Sequence, residues 1–166
     1  MILTTHAIAG AAIGRLTSNP LLAFAFGVIS HFVLDAIPHW SYKLRSKISG
    51  RNIMDEDMVL DKRFSRDIAF IGLDFFFGMF FSIFVFQGWA GFRELSLPVL
   101  FGSLGGVMPD AFQFLFWKIK REPFISTQRF HNWAHAKSDL NQKTGLGVAT
   151  QIILVAFIVF LSKFVD

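Results

Sequence analysis

The chain contains no cysteine. Disulfide bonds and thiolate metal sites are therefore excluded, and any metal site has to be built from imidazole and carboxylate groups. The first residues also lack the basic segment and the small-residue cleavage site of a secretory signal, so we expect the first helix to be retained. Neither an alternating strand pattern nor a low-complexity tract is present, which favours a helical chain.

Apolar side chains are abundant. Hydrophobic residues make up 53% of the 166 residues, 22 residues are phenylalanine, and the mean hydropathy is +0.49. Soluble domains of this length rarely carry so much apolar side chain. Between Arg66 and Arg93 the only ionisable residues are Asp67 and Asp74, and residues 145–162 carry no charge. Both segments are long enough to cross ~30 Å of hydrocarbon at ~1.5 Å per residue.

Turn residues divide these apolar segments into five helices. Pro109 should kink or break the fourth of them, and the pattern over Met54–Phe64 indicates an interfacial amphipathic helix. Because the first helix is barely long enough to span, we predict an all-α membrane bundle of four full spans plus a short N-terminal helix, forming one domain over residues 1–166. The predicted helices run from Thr4 or Thr5 to Leu16, from Pro20 to Ile37, from Ile68 to Gly88, from Leu97 to Trp117 and from Gly145 to Val165.

The basic residues predict how this bundle is oriented. All but three of the 16 Lys and Arg residues lie in two long loops, 41–67 and 118–143. Positively charged loops remain on the cytoplasmic side of a membrane. We therefore predict a multi-pass protein of the bacterial cytoplasmic (inner) membrane, with both long loops facing the cytoplasm.

His31 and Asp35 lie four residues apart within an apolar helix. This spacing places both side chains on one helix face, one turn apart. Pro38 should end the helix, so that His39 follows from the exit turn close to the same face. Two imidazoles and one carboxylate in this arrangement suit zinc or a similar metal. The alternative is a hydrogen-bonded His31–Asp35 pair that joins two helices, with His39 as a surface histidine.

The predicted topology brings further ionisable residues to the same side. A hairpin about Ser18 and Asn19 places His6 level with His31, and the other histidines and the acids within helices lie at a similar depth. We therefore predict a shared site for a divalent metal, one to three zinc ions or else manganese. Taken singly, Asp74 suits a hydrogen bond between helices, Asp110 a turn after Pro109, and His131 and His135 the headgroup level. The predicted ligands are His6, His31, Asp35, His39, Asp110, His131 and His135.

Four short motifs resemble those of a bacterial family of small inner-membrane metal-dependent hydrolases. They are Thr5-His6-Ala7, the segment from Ser30-His31 to Pro38-His39, Gly105-Gly106 with Pro109-Asp110, and His131 with His135. That family is distantly similar to zinc-dependent phospholipase C and to single-strand-specific zinc nucleases. The resemblance implies a zinc cluster on the seven ligands named above, and phosphodiester hydrolysis. The N-terminal amine and tryptophan that complete the cluster in the soluble enzymes have no match among these motifs.

Two functions follow from these observations. The first is a membrane-embedded hydrolase of a phosphoester, either a phospholipid or a lipid-linked phosphate, which uses metal-activated water with Asp74 or Asp110 as the base. The second is a non-catalytic membrane protein, either a divalent-metal carrier or sensor or a partner-binding subunit, that uses the same cluster. A nucleic-acid partner is not expected, because the basic loops hold few aromatic residues that could stack on bases. Basic residues that could hold phosphate oxygens, or that only signal topology, are Arg45, Lys47, Arg51 and Arg129.

Overall fold

The computed structural model describes residues 1–137 and 140–164, and these residues form six α-helices and two short strands. β1 (Lys47–Ile48) pairs antiparallel with β2 (Asp57–Met58), and two 3-10 turns cover Ile53–Asp55 and Gly88–Phe92. The all-helical prediction is confirmed. The helices are α1 (Leu3–Arg15), α2 (Pro20–Asp35), α3 (Lys62–Gln87), α4 (Leu97–Ile119), α5 (Phe124–Ala134) and α6 (Thr144–Leu161).

Among the described residues, three helical segments are long and apolar enough to cross a membrane. They are Lys62–Phe92, Leu97–Ile119 and Thr144–Ser162, which contain α3, α4 and α6. α2 is also apolar, but it has only 16 residues, and α1 has 13. The structure thus has the character of a membrane protein, with three of the predicted spans at full length.

The prediction of an amphipathic helix over Met54–Phe64 is wrong. This segment holds a 3-10 turn, β2 and the first residues of α3. α3 begins earlier than predicted because the Asp61 side chain accepts a hydrogen bond from the Arg63 backbone N–H at 2.8 Å and so caps the helix. A helix that was not predicted, α5, lies in the second basic loop and carries His131.

Pro109 does not break α4, which is helical from Leu97 to Ile119. Proline removes a backbone donor and crowds the preceding turn, so an isolated helix would be weakened here. In the protein, α4 packs against both α1 and α2. This packing holds the helix on either side of Pro109.

Glycines allow this close packing. A Cβ atom at Gly10 of α1 would overlap the Gly102 carbonyl of α4, and a Cβ at Gly105 would overlap the Phe24 carbonyl of α2. Small residues at such crossings bring helix backbones into direct contact, which is how helices associate in membranes. At Gly106 the same approach brings α4 against the His6 carbonyl. The glycines of α4 therefore determine how closely α4 approaches α1, which carries His6, and α2, which carries His31.

We expect Gly10→Ala and Gly102→Ala to destabilise the protein by about 1–3 kcal/mol each, because the added methyl group has to displace a backbone carbonyl. The matched control is Gly72→Ala in α3, where an added Cβ meets nothing within 4 Å and the helical preference of alanine should raise stability slightly. Thermal unfolding in detergent would measure both effects. Equal stability of Gly10→Ala and Gly72→Ala would contradict the packing argument.

Candidate metal centre

Asp35, the last residue of α2, lies at the centre of the site and is 1% exposed. Its Oδ2 atom is 3.0 Å from Nε2 of His131 and 3.2 Å from Nε2 of His31. Its Oδ1 atom is 2.9 Å from the Met1 amine, 3.2 Å from Nε2 of His6 and 3.7 Å from Nε2 of His39. The two oxygens of one carboxylate therefore face two different sets of groups.

These sets correspond to two groups of possible metal ligands. The first contains His31, Asp35, Asp110 and His131, and the second contains Asp35, His39 and His135. Within each group the ligand atoms lie within 4.8 Å of one another. The described residues could therefore hold one metal ion in each group, with the Asp35 carboxylate shared between them.

Backbone carbonyls determine which nitrogen of three histidines is available. Nδ1 of His31 lies 2.7 Å from the Gly106 carbonyl, Nδ1 of His39 lies 2.7 Å from the Ile37 carbonyl, and Nδ1 of His135 lies 3.1 Å from the Ala136 carbonyl. A carbonyl oxygen can only accept, so each Nδ1 carries the proton and donates it. In the neutral ring Nε2 then carries a lone pair, which in His39 accepts a hydrogen bond from the Met1 amine. A backbone carbonyl behind the ring is the usual support of a metal-binding histidine.

Buried nitrogens without hydrogen bonds also fit a cation. Both ring nitrogens of His6, and Nδ1 of His131, are buried and have no hydrogen-bond partner among the described residues. The His6 ring stacks on the His31 ring with centroids 3.9 Å apart, which confirms that the two histidines lie level across the α1–α2 hairpin. Nε2 of His6 approaches Asp35 to 3.2 Å but not in hydrogen-bonding geometry. Lone pairs that converge on a buried carboxylate are stabilised by a positive charge between them.

The Met1 amine supplies one such charge in the structure. It donates to Oδ1 of Asp35 at 2.9 Å and to Nε2 of His39 at 2.8 Å. No local motif identifies Met1, which reaches the site because α1 starts at Leu3 beside the C-terminal end of α2.

Asp74 has a different environment from the other predicted residues. Its carboxylate accepts hydrogen bonds from the Leu3 and Thr4 backbone N–H groups, at 2.7 and 3.1 Å, and from the Thr4 hydroxyl at 2.6 Å. It therefore caps the N-terminus of α1 from the neighbouring α3. Asp74 belongs to neither ligand group, and His6 lies beside both groups without completing either.

A cavity of about 1240 Å³ adjoins the cluster. Asp110, whose side chain is 28% exposed, borders this cavity, whereas His31 and His6 lie behind it and are fully buried. Of the four basic residues considered for phosphate binding, Lys47 lines the cavity, and its Nζ lies 3.8 Å from Glu56 and 5.1 Å from the Trp117 ring centroid. Other cluster residues that border the cavity are Asp35, His39, His131 and His135.

Two residues that line the cavity and lie outside the predicted spans have shifted pKa values. Burial, and then the positive charge of the Met1 amine, lower the pKa of His39 to about 4, so this imidazole is neutral at pH 7. Burial, followed by the nearby carboxylates of Asp74 and Asp110, raises the pKa of the Tyr42 phenol above its usual value. Tyr42 lines the cavity and keeps its proton at neutral pH. Sequence reasoning missed it, although it is the only tyrosine in the chain.

No family model, curated protein or solved structure matches this chain. The resemblance to inner-membrane metal-dependent hydrolases accordingly stays a prediction. The described geometry itself supports a coarser statement, namely that the buried histidine and aspartate groups could hold a metal ion.

We expect zinc binding to depend on Asp35 more than on any single histidine, because only Asp35 belongs to both ligand groups. Asp35→Ala should remove all bound zinc, whereas His131→Ala and His135→Ala should each weaken one ion by about 100-fold or more and leave the other. Mass spectrometry of metal content after zinc loading and dialysis would measure this.

The control is Glu94→Gln, which removes an exposed carboxylate in the loop before α4 and should leave the zinc content unchanged. A folded wild-type protein that binds no zinc after loading would contradict the metal centre.

Proposed function

We propose that the protein is a membrane-embedded, metal-dependent hydrolase of a phosphoester. The observation that carries this proposal is that the two groups of possible metal ligands, which share Asp35, border a large cavity. A metal ion that served only structure would be closed off by four protein ligands, whereas a catalytic ion keeps a position open to substrate. The partly exposed Asp110 gives the first group such an open side.

Zinc, or manganese in its place, would polarise the phosphoryl group and lower the pKa of water. His31, His131 and Asp35 would hold it in the first group, with Asp110 beside them left free to accept a proton, and Asp35, His39 and His135 would hold a second ion. The carbonyls behind His31, His39 and His135 keep these rings oriented, so the rings need not turn when metal binds. In the second group an ion would have to displace the Met1 amine from Asp35 and His39.

Three side chains on the cavity wall have suitable chemistry for the reaction. The Asp110 carboxylate borders the cavity and is 28% exposed, more than the Asp35 carboxylate, so it can accept a proton from the attacking water. The Tyr42 hydroxyl remains protonated at neutral pH and can donate a hydrogen bond to a phosphoryl oxygen or to the leaving group. Lys47 can contribute positive charge. Asp74 suits the role of base less well, because its oxygens already cap α1.

The proposed orientation in the membrane follows from the distribution of basic residues. We propose that α2 forms a fourth span beside the three longer ones. The basic loops, the cluster and the mouth of the cavity then lie on the cytoplasmic side of the inner membrane. The alternative, a metal carrier, would require ligands near the bilayer midplane. Here Asp35 and His39 lie at the C-terminal end of α2, next to the first basic loop.

We expect the purified protein with zinc to hydrolyse bis(p-nitrophenyl) phosphate, and Asp110→Asn to lower kcat by about 10²–10⁴-fold, because the general base is lost. Asp74→Asn is the matched control. An asparagine oxygen can still accept from the α1 N-terminus, so this variant should retain most of the activity.

Release of p-nitrophenol, followed together with zinc content, separates loss of catalysis from loss of metal. Zinc-loaded protein without any phosphoesterase activity would refute the hydrolase and favour a carrier, a sensor or a partner-binding subunit. A larger loss of kcat in Asp74→Asn than in Asp110→Asn would identify Asp74 as the base.

A further inference from the structure

Two chemically different sets of residues line the cavity that adjoins the cluster. One set contains the cluster residues Asp35, Asp110 and His131. The other set consists of apolar residues from α1, α3 and α4, and we call the part of the wall that they form the apolar arm. The residues of the apolar arm are Leu3, Ile68, Ile71, Gly72, Phe75, Val107 and Phe114.

Gly72 makes room in the apolar arm. An added Cβ at this position would meet nothing within 4 Å, although Gly72 lies inside a continuous helix. Most glycines of α1, α2 and α4 are instead pressed against a neighbouring backbone. Glycine in a helix interior costs stability relative to alanine. Helix packing does not account for this glycine, and because Gly72 lines the cavity it leaves space there for a ligand.

The apolar arm adjoins one of the candidate membrane spans. It is built on the first half of α3, within a segment long and apolar enough to cross the bilayer. From Ile68 to Phe75 it extends about 10 Å along the helix, at ~1.5 Å per residue. A site with apolar walls in this position suits a hydrocarbon chain.

Lysine side chains from the loops between helices border the same cavity. Lys43, Lys47 and Lys137 line it together with the cluster residues. Basic side chains near a membrane surface attract anionic headgroups. The cavity thus offers cations for an anionic group, acceptors for a metal ion and an apolar space, and these features are continuous with one another.

We propose that the apolar arm binds the hydrocarbon chain of an amphiphilic phosphoester, with the phosphoester group at the cluster and the chain along α3 at Gly72. This inference rests on the proposed hydrolase function, and it names the part of the substrate that determines specificity. A water-soluble phosphodiester without a hydrocarbon chain would contact the cluster residues and not the apolar arm.

The experiment blocks the apolar arm by Gly72→Phe. The matched control is Gly145→Phe near the start of α6, where an added Cβ also meets nothing within 4 Å but which does not line the cavity. Both variants and the wild type are placed in nanodiscs and loaded with zinc. Their substrates are p-nitrophenyl alkyl phosphodiesters with chains of increasing length, and bis(p-nitrophenyl) phosphate as the substrate without a chain.

For wild type and Gly145→Phe we expect kcat/KM to rise with chain length, by up to about fourfold for each methylene buried. For Gly72→Phe the rise should be absent, while zinc content and the rate on bis(p-nitrophenyl) phosphate stay as in the control. Because both variants share the same bilayer, partition of the substrate cancels in the comparison. If Gly72→Phe shows the same chain-length dependence as Gly145→Phe, the apolar arm does not bind the chain.

A second measurement keeps this inference testable if no diester is hydrolysed, the outcome that refutes the hydrolase. Trp40 and Trp117 line the cavity, so an alkyl phosphonate brominated at the chain end should quench tryptophan fluorescence when it is bound. Quenching should be stronger in Gly145→Phe than in Gly72→Phe. Equal quenching in the two variants would overturn the chain site independently of catalysis.

Discussion

The buried carboxylate of Asp35 is the group on which the rest of the structure depends. A carboxylate that is 1% exposed is costly to bury unless several partners surround it. Here the partners come from four parts of the chain: the Met1 amine, His6 of α1, His31 of α2 and His131 of α5. The same contacts that compensate its charge therefore fix how α1, α2 and α5 meet.

The helix packing and the site are consequences of the same glycines. Gly106 lacks a side chain where α4 meets the His6 carbonyl, and its own carbonyl accepts the Nδ1 proton of His31. A larger residue at this position would separate α4 from α1 and remove the contact that orients His31. Close packing of backbones in a membrane protein is usually described as a source of stability. In this protein it also positions the imidazoles.

The sequence predicted those parts of the site that depend on helical periodicity. His31 and Asp35 share a face because they are four residues apart, and His6 stacks on His31 because the α1–α2 turn lies midway between them. Residues whose positions depend on contacts distant in sequence were not predictable in this way. The role of Asp74 as a cap follows from how α3 packs against the start of α1, and this packing is not encoded in any local pattern.

The structure of the polar loops was also not predicted from the sequence. α5 carries few apolar residues in a regular pattern, and it is helical in a segment that reads as a basic loop. Its position is fixed by tertiary contacts. Nε2 of His131 lies 3.0 Å from Oδ2 of Asp35, and just after the helix the Ala136 N–H donates a hydrogen bond to the Asp35 carbonyl at 2.8 Å. The short strands β1 and β2 are too brief to produce an alternating pattern. Local propensity is weak evidence wherever tertiary contacts decide the structure.

The order of the cluster residues from the interior to the cavity bears on function. His6 and His31 lie deepest and are fully enclosed, Asp35 lies between the two groups, and Asp110, His131, His39 and His135 border the cavity. A purely structural polar cluster gains nothing from facing a large cavity, because water entry weakens its internal interactions. A catalytic cluster requires this arrangement, since deep ligands hold the ion rigidly while the outer ones leave a side open for substrate. The layering of one buried carboxylate and five imidazoles toward a cavity is thus the feature on which the proposed catalytic role depends.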